Sequence, residues 1–276
     1  MTPTLSSGWY DALTAVIQDG ISIAPTKGPA LEYPGVFAVE IEMPQSIILD
    51  VPGREFRHVI GALEGLSLVG QVSIAETFID RVAAFRPFVR HSIFWGVYGP
   101  RAVGSIGQIA TMLAVKPDSR QAVISLYNSK TDLGRPEEVD VPCTLTIQFK
   151  VRRQRLEMWV AMRSNDVWLG LPYDLMQFAM LQAAIAQHLG IPAGPYTHTA
   201  GSMHLYDRHS VKAQEVYRSG SVEGWNPTVM DSPVWGGSGD ISETASRARR
   251  ILLGEEHYLD NLTEFEKQMV QWLIKF

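Results

Sequence analysis

The clearest pattern in the chain is an alternation of apolar and polar positions between residues 143 and 162. Cys143, Leu145, Ile147, Phe149 and Val151 fall on one face, and Thr144, Thr146, Gln148 and Lys150 on the other, as a half-buried strand requires. Leu156, Met158, Val160 and Met162 then alternate with Glu157, Trp159 and Ala161, and Arg152-Arg-Gln-Arg155 joins the two runs as a hairpin. Antiparallel pairing brings Cys143, at the start of one strand, toward Arg163, at the end of the other. A cysteine–arginine neighbourhood is therefore predicted before any chemistry is considered.

Elsewhere the period lengthens. Trp9, Leu13, Val16 and Ile17 predict an amphipathic helix over 9–19. Further helices are expected over 54–69, 75–86, 106–115 and 175–189, and mixed-charge helical sequence over 241–276. Strands are expected over 36–42, 46–51 and 122–126, where β-branched residues concentrate. Loops fall at 24–29, 94–101, 116–121, 129–139 and, rich in Gly, Ser and Pro, at 221–240. No internal repeat interrupts the chain, so 1–276 reads as one domain with 211–276 as its least interpretable part. Gly236-Gly-Ser-Gly239 lacks the Lys-Ser/Thr that a phosphate loop needs.

Hydrophobic residues make up 46% and charged residues 19% of the chain, which predicts a packed core rather than disorder. A net charge of −5 gives no general field for duplex nucleic acid and leaves room only for a local phosphate pocket. Leu175–Tyr206 carries no Asp, Glu, Lys or Arg. Gln177, Gln182, Gln187 and His188 interrupt it, and Gly190 with Pro192 ends the helix too early for a bilayer. The amino terminus has neither a basic nor an apolar signal region. One cysteine forms no internal disulfide, so a reducing, cytoplasmic compartment is expected. His198, His204 and His209 have no acid or cysteine at ligand spacing, and no metal site is expected.

The candidate chemistry collects at element ends. Glu64 is an acid embedded among Ile60, Leu63, Leu66 and Leu68, a place that demands a partner or a shifted pKa. Asp174 sits at the start of the 175–189 helix, where a carboxylate caps free N–H groups. Lys27 lies in a loop able to reach an anion, and Arg120 at the mouth of a strand.

Pro142-Cys143, Gln148-Phe149, Arg163-Ser-Asn-Asp166, Gly170-Leu-Pro-Tyr-Asp174 and His204-Leu-Tyr206 together resemble the thymidylate synthase superfamily. Tyr98-Gly99 and Pro117-Asp-Ser-Arg120, ahead of the strand leading to Asn128, extend the likeness over roughly 54–210 in the family's order. The resemblance implies an α/β (α+β) fold, a large mixed sheet packed by helices with one sheet face forming a homodimer interface. It implies Cys143 as the nucleophile for C6 of a pyrimidine, with Glu64 and Tyr98 moving protons. Arg163, Ser164 and Arg120 match phosphate ligands, Arg120 reaching across from the second subunit, and Lys27 stands where the family has an arginine loop. Asn165 and Asp166 match positions near the base, and His204 and Tyr206 match sugar-hydroxyl contacts. Trp95, Asp166, Gly170 and Tyr173 would line 5,10-methylenetetrahydrofolate.

Departures from the family pattern bear on the substrate. Thr144 and Gln121 replace a family His and Arg, and Trp272-Leu-Ile-Lys-Phe276 lacks the tail that closes over folate. Asp174 replaces Asn. An amide matches the N3–H and O4 of uracil, whereas a carboxylate accepts from the 4-amino group and a protonated N3 of cytosine. The cytidylate hydroxymethylases of the superfamily carry this Asp, so CMP or dCMP is the expected substrate. Methylation of dUMP, and a non-catalytic nucleotide- or RNA-binding relative, are the alternatives. A Cys-His hydrolase fits poorly, because no histidine has an orienting acid. Ribose against deoxyribose stays open, since His204 and Tyr206 would contact a hydroxyl both sugars share. Phage DNA modification would call for dCMP, nucleoside-antibiotic synthesis for CMP.

Overall fold

A computed structural model describes residues 4–42, 47, 49, 51–136, 140–220 and 233–274. The first half holds α1 (Leu5–Asp19), β1 (Ile21–Ile23), β2 (Ala30–Glu32), β3 (Phe37–Ile41), α2 (His58–Gly70), α3 (Ala75–Arg81), β4 (Val89–Arg90), β5 (Ile93–Phe94), α4 (Ser105–Val115), β6 (Val123–Ser125) and α5 (Ser129–Asp132). The second half begins with the long hairpin, β7 (Thr144–Arg152) and β8 (Arg155–Met162), followed by β9 (Asn165–Asp166). Then come α6 (Leu171–His188), β10 (Ala193–Ala200), β11 (Met203–Tyr206), α7 (Asp207–Arg218), α8 (Ile241–Leu253) and α9 (Glu264–Ile274).

The hairpin forms as its alternation dictates. Arg153 and Gln154 take φ of 50° and 58°, the paired left-handed conformation of a two-residue turn whose twist suits its strands. One detail departs from strict alternation. The β7–β8 register slips between Thr144 and Thr146, so Leu145 is left without a partner and Thr144, not Leu145, turns inward. Cys143 therefore sits just outside β7 on a bend rather than on its apolar face.

Five strands in the order β3-β10-β8-β7-β6 make a mixed sheet, parallel only between β10 and β8. Ile147, Phe149, Leu156, Met158, Val160, Tyr196 and His198 face the helices and are almost wholly buried. Val123, Ser125 and Trp159 stand exposed on the other face. A second sheet runs β1-β2-β11-β9, with β9 and β11 parallel. The parallel strands β8 and β10 thus leave one sheet side by side and re-pair as β9 and β11 in the other. Asn165 N–H donates to Ser202 O, and Val167 N–H to His204 O, both at 2.8 Å. Where parallel strands end and diverge a crevice opens beyond their carboxyl ends.

The helical expectations hold with shifted ends. α1 begins earlier because Thr4 and Ser7 form a reciprocal capping box. α2 begins at His58, and 75–86 breaks after Arg81 into a 3₁₀ turn containing Pro87. Of the expected strand 46–51, residues 46, 48 and 50 lie outside the described residues, and Val51 makes one isolated bridge to Arg54. The 241–276 region supplies α8 and α9, both packed on α2 and joined by a buried Arg247–Glu266 ion pair at 2.6 Å. Positions 221–232 of the Gly/Ser/Pro loop lie outside the described residues, whereas Trp235 is buried and clasped through its backbone by Gln187.

α2 and α6 approach closely because Gly61 and Gly65, one turn apart, face Met176 and Met180. A Cβ on either glycine would overlap the methionine sulfur. That approach carries Glu64 over the start of α6. No helix among the described residues is long and apolar enough to cross a membrane.

Candidate functional site

The bend at Arg163–Ser164, the start of α6 and the end of the 129–142 segment converge on Cys143. Arg163 N–H donates to Cys143 O at 2.8 Å, so the expected neighbourhood forms through the backbone itself. The Arg163 side chain, largely exposed, turns its guanidinium onto the carbonyls of Pro142 and Val141 at 3.1 Å. Its charge favours a thiolate, but burial outweighs it, and Asp140 and Asp174 add to the opposition. The thiol is pushed up to about 11. The lowered thiolate pKa that an adjacent arginine suggests is not what this cleft holds without nucleotide.

Asp174 is not a helix cap. The N-cap position belongs to Gly170, and Asp174 lies within the first turn of α6 with 7% of its surface exposed. Its Oδ2 accepts from Asn165 Nδ2 at 2.7 Å and its Oδ1 from Gln177 Nε2 at 2.9 Å. Burial raises its pKa to about 7, and these two neutral amides only partly offset that. Gln177 lies one turn further along α6, and its i, i+3 spacing to Asp174 is the only sign of this contact in the sequence.

Glu64 and Tyr98 join the same group. Burial, then the charges of Asp174 and Asp140, hold the Glu64 carboxyl well above its ordinary value. Burial likewise raises Tyr98, followed by Asp174 and Cys143, and its ring stacks on Phe178 at 5.9 Å. Glu64, Tyr98, Asp140 and Cys143 each keep partial solvent access while deeply surrounded by protein. Groups at the floor of a cleft combine these two properties. Asp140, just beyond the 129–139 loop, carries no mark in the sequence. Burial raises its pKa, and Lys27, Arg163 and Arg101 pull it down, which also brings Lys27 into the site. The Lys27 ammonium lies 5.5 Å over the Phe88 ring.

His204 and Tyr206 are buried on β11 with rings 4.9 Å apart. Arg208 stacks on Tyr206 at 4.0 Å. Asp166 uses Oδ1 to accept from Trp168 N–H and Leu169 N–H, fixing the turn after β9. Its Oδ2 has no hydrogen bond among the described residues. That turn is anchored from outside by Trp9, which donates to Val167 O at 2.6 Å, and by Arg54, which donates to Trp168 O at 2.6 Å. A side chain on Gly170 would press on Asn165 Nδ2 and Asp166 O, so the entry to α6 is tight at this glycine. Tyr173 stacks on Phe56 at 5.0 Å, and through His58 that aromatic column reaches Trp272 of α9.

Two expected residues stand apart. Arg120 is exposed beyond the end of β6 remote from Cys143. Its carbonyl accepts from Gln148 Nε2 at 3.0 Å, which places it roughly 17 Å along β7 from Cys143 at about 3.3 Å per residue. Within one chain it does not meet the cleft. The Trp95 indole donates to Asp132 at 2.8 Å, and Arg135 covers one ring face at 3.8 Å. Trp95 lines a depression of about 550 Å³ with Phe94, Arg101, Leu126 and Asn128. That depression gathers no raised carboxylate or thiol, so clustered shifted groups rather than volume locate the candidate site.

The unengaged Asp166 oxygen and the glycine entry at 170 fit a flat heteroaromatic ring with N–H donors, as a pterin is, beside the nearly covered Tyr173–Phe56 stack. Residues 83–222, just over half of the chain, match the family model described as Thymidylate synthase, a span that includes Tyr98, Cys143, Arg163, Asp174 and Tyr206.

Proposed function

The chain belongs to the thymidylate synthase family, folate-dependent one-carbon transferases acting at C5 of a pyrimidine nucleotide, and from that premise we propose that it hydroxymethylates CMP or dCMP. The observation that supports this reading is Asp174: a buried carboxylate with an amide donor already on each oxygen. A carboxylate so held has lone pairs left for the 4-amino group of cytosine and, with a pKa near 7, can share a proton with N3. Toward uracil O4 it presents like to like.

Cys143 Sγ adds to C6, which makes C5 nucleophilic, and departs again when ring aromaticity returns. Because the free thiol titrates near 11, it gives up its proton in the nucleotide complex, with Arg163 and Lys27 stabilising the thiolate as they gather the phosphate. Methylenetetrahydrofolate, when bound, supplies the carbon; Asp166, Gly170 and Tyr173 would hold it. Tyr98, kept neutral by burial, holds through its hydroxyl the water that takes the C5 proton. Glu64 takes a proton from the water that attacks the C5 methylene group, and burial, which raises its pKa, strengthens it as a base. His204 and Tyr206 hold the sugar, and Asn165 supports Asp174.

On the same reading two copies pair through the open face of the five-stranded sheet, which lets Arg120 reach the phosphate site of the other copy. Tritium release from C5 of CMP, dCMP and dUMP, with product mass, tests the proposal. The expected product is 5-hydroxymethylcytidylate, and Cys143→Ala should abolish release while nucleotide still binds. A methylated product from dUMP would make the chain a synthase instead, and nucleotide binding without any C5 exchange would make it a non-catalytic relative.

A further inference from the structure

A chain of buried hydrogen bonds leads from the inner face of β10 to Asp174, through residues that do not face the cleft. Tyr196 Oη lies 2.7 Å from His198 Nδ1, and His198 Nε2 lies 3.0 Å from Asn165 Oδ1. Asn165 Nδ2 lies 2.7 Å from Asp174 Oδ2. Tyr196 and His198 have no accessible surface and Asn165 has 3%.

We propose that Tyr196 and His198 are positioning residues for base selection, a one-way relay that turns the Asn165 amide so that Asp174 faces the nucleobase as an acceptor. The inference rests on the reading of Asp174 as the residue that recognises the base. Its direction follows from counting donors. The Tyr196 hydroxyl has no hydrogen-bond partner among the described residues except His198, so its hydrogen must go to Nδ1 or remain buried and unpaired. A neutral imidazole has one donor and one acceptor, so accepting at Nδ1 places the proton on Nε2. That N–H requires Asn165 to present Oδ1, which leaves the Asn165 NH₂ for Asp174. Burial holds His198 neutral, with a pKa near 3, so the ring cannot donate from both nitrogens and blur the direction.

Reversing any link reverses them all. Were Asn165 to turn over, its carbonyl oxygen would face Asp174, and only a protonated Asp174 could pair with it. A protonated Asp174 donating to Asn165 is no longer an anionic acceptor for the cytosine amine and has no proton left to share with N3. The relay thus ties cytosine recognition to a tyrosine hydroxyl three links away.

Long-range ¹H–¹⁵N correlation of the histidine rings in the full-length chain tests the relay, with His198 assigned from its missing signals in His198→Gln. A bare Nδ1 and a protonated Nε2, unchanged from pH 5 to 8, are expected. A proton on Nδ1, or a ring that titrates in that range, overturns the relay, and the variant serves only to assign the signals of the native chain. Kinetics supply the second arm. Glutamine retains an N–H near the Nε2 position, so His198→Gln should keep the cytidylate-to-uridylate ratio of kcat/KM. His198→Leu should lower that ratio about tenfold, the scale of one neutral hydrogen bond. An unchanged ratio in the leucine variant, while Asp174→Asn still loses it, refutes the relay and spares the cytosine reading. Uridylate preference in the native chain refutes the cytosine reading, and the ring tautomer then still decides on the relay itself.

Discussion

Asp132 and Asp174 are both aspartates with little exposed surface, and their surroundings differ in two respects that set their chemistry apart, a cation and the depth of burial. Asp132 receives a two-pronged Arg101 guanidinium at 2.8 and 2.9 Å, the Trp95 indole and the backbone N–H of Asn128. Burial works against its ionisation, yet these donors overcome it and hold the carboxyl down at about 2. Asp174 receives two neutral amides and no cation, lies deeper in the protein, and is carried by burial up to about 7. A formal charge nearby turns a buried carboxylate into a fixed strut, whereas dipoles alone leave it poised between protonation states. The first ties α5 to the 95–101 loop; the second stands in the cleft beside Glu64 and Cys143.

Base preference should separate them most. Asp174→Asn is expected to lower the ratio of kcat/KM for cytidylate over uridylate by ~10³-fold or more, since a site built around one hydrogen-bonding edge rejects the wrong edge strongly. Asp132→Asn should leave that ratio unchanged, and a shift of similar size there would erase the distinction. Stability should show the converse. Asp132→Ala strands a mostly buried guanidinium and should cost about 3 kcal/mol in urea unfolding, while Asp174→Asn should be neutral or stabilising above pH 7.

The pH profiles should diverge in sign. The depressed Asp132 contributes stability that is complete above its unfolded pKa near 3.8 and is lost as pH falls toward 2. The elevated Asp174 acts oppositely: the folded chain holds its proton more tightly, so its share of stability falls as pH rises from about 4 to 7. Denaturant midpoints across pH 3–8 should show that decline flattened in Asp174→Asn. The smallest effect concerns Cys143, where burial meets a cation that only partly opposes it. Its alkylation by iodoacetamide in the free protein should keep climbing past pH 9 toward a midpoint near 11. Arg163→Ala should displace that midpoint slightly upward. A midpoint near 7 would mean that the arginine dominates after all.

Much of this was legible along the chain. The 143–162 alternation specifies the hairpin, and the hairpin alone brings Cys143 to Arg163, because antiparallel register is a local consequence of a two-residue turn. The misreadings share a cause. Asp174 looks like a cap because a carboxylate at a helix start usually is one, and only its contacts with Asn165 and Gln177 show it buried. Asp140 stands out from no pattern in the sequence, and only the closure of Gly96, Lys27 and Arg163 around it places it in the site. Cys143 drops off its strand face because of a slip at Leu145 that no periodicity announces.

What the sequence determined by itself was therefore periodic or adjacent: which faces of strands and helices are apolar, where the hairpin turns, and which residue types recur in a family order. The tertiary structure alone decided protonation and hydrogen-bond direction. Glu64 meets Asp174 across 110 positions of chain, and Tyr196 orients Asn165 from 31 positions away. Desolvation and donor–acceptor pairing depend on everything packed around a group, so they come into being only when distant segments close on one another.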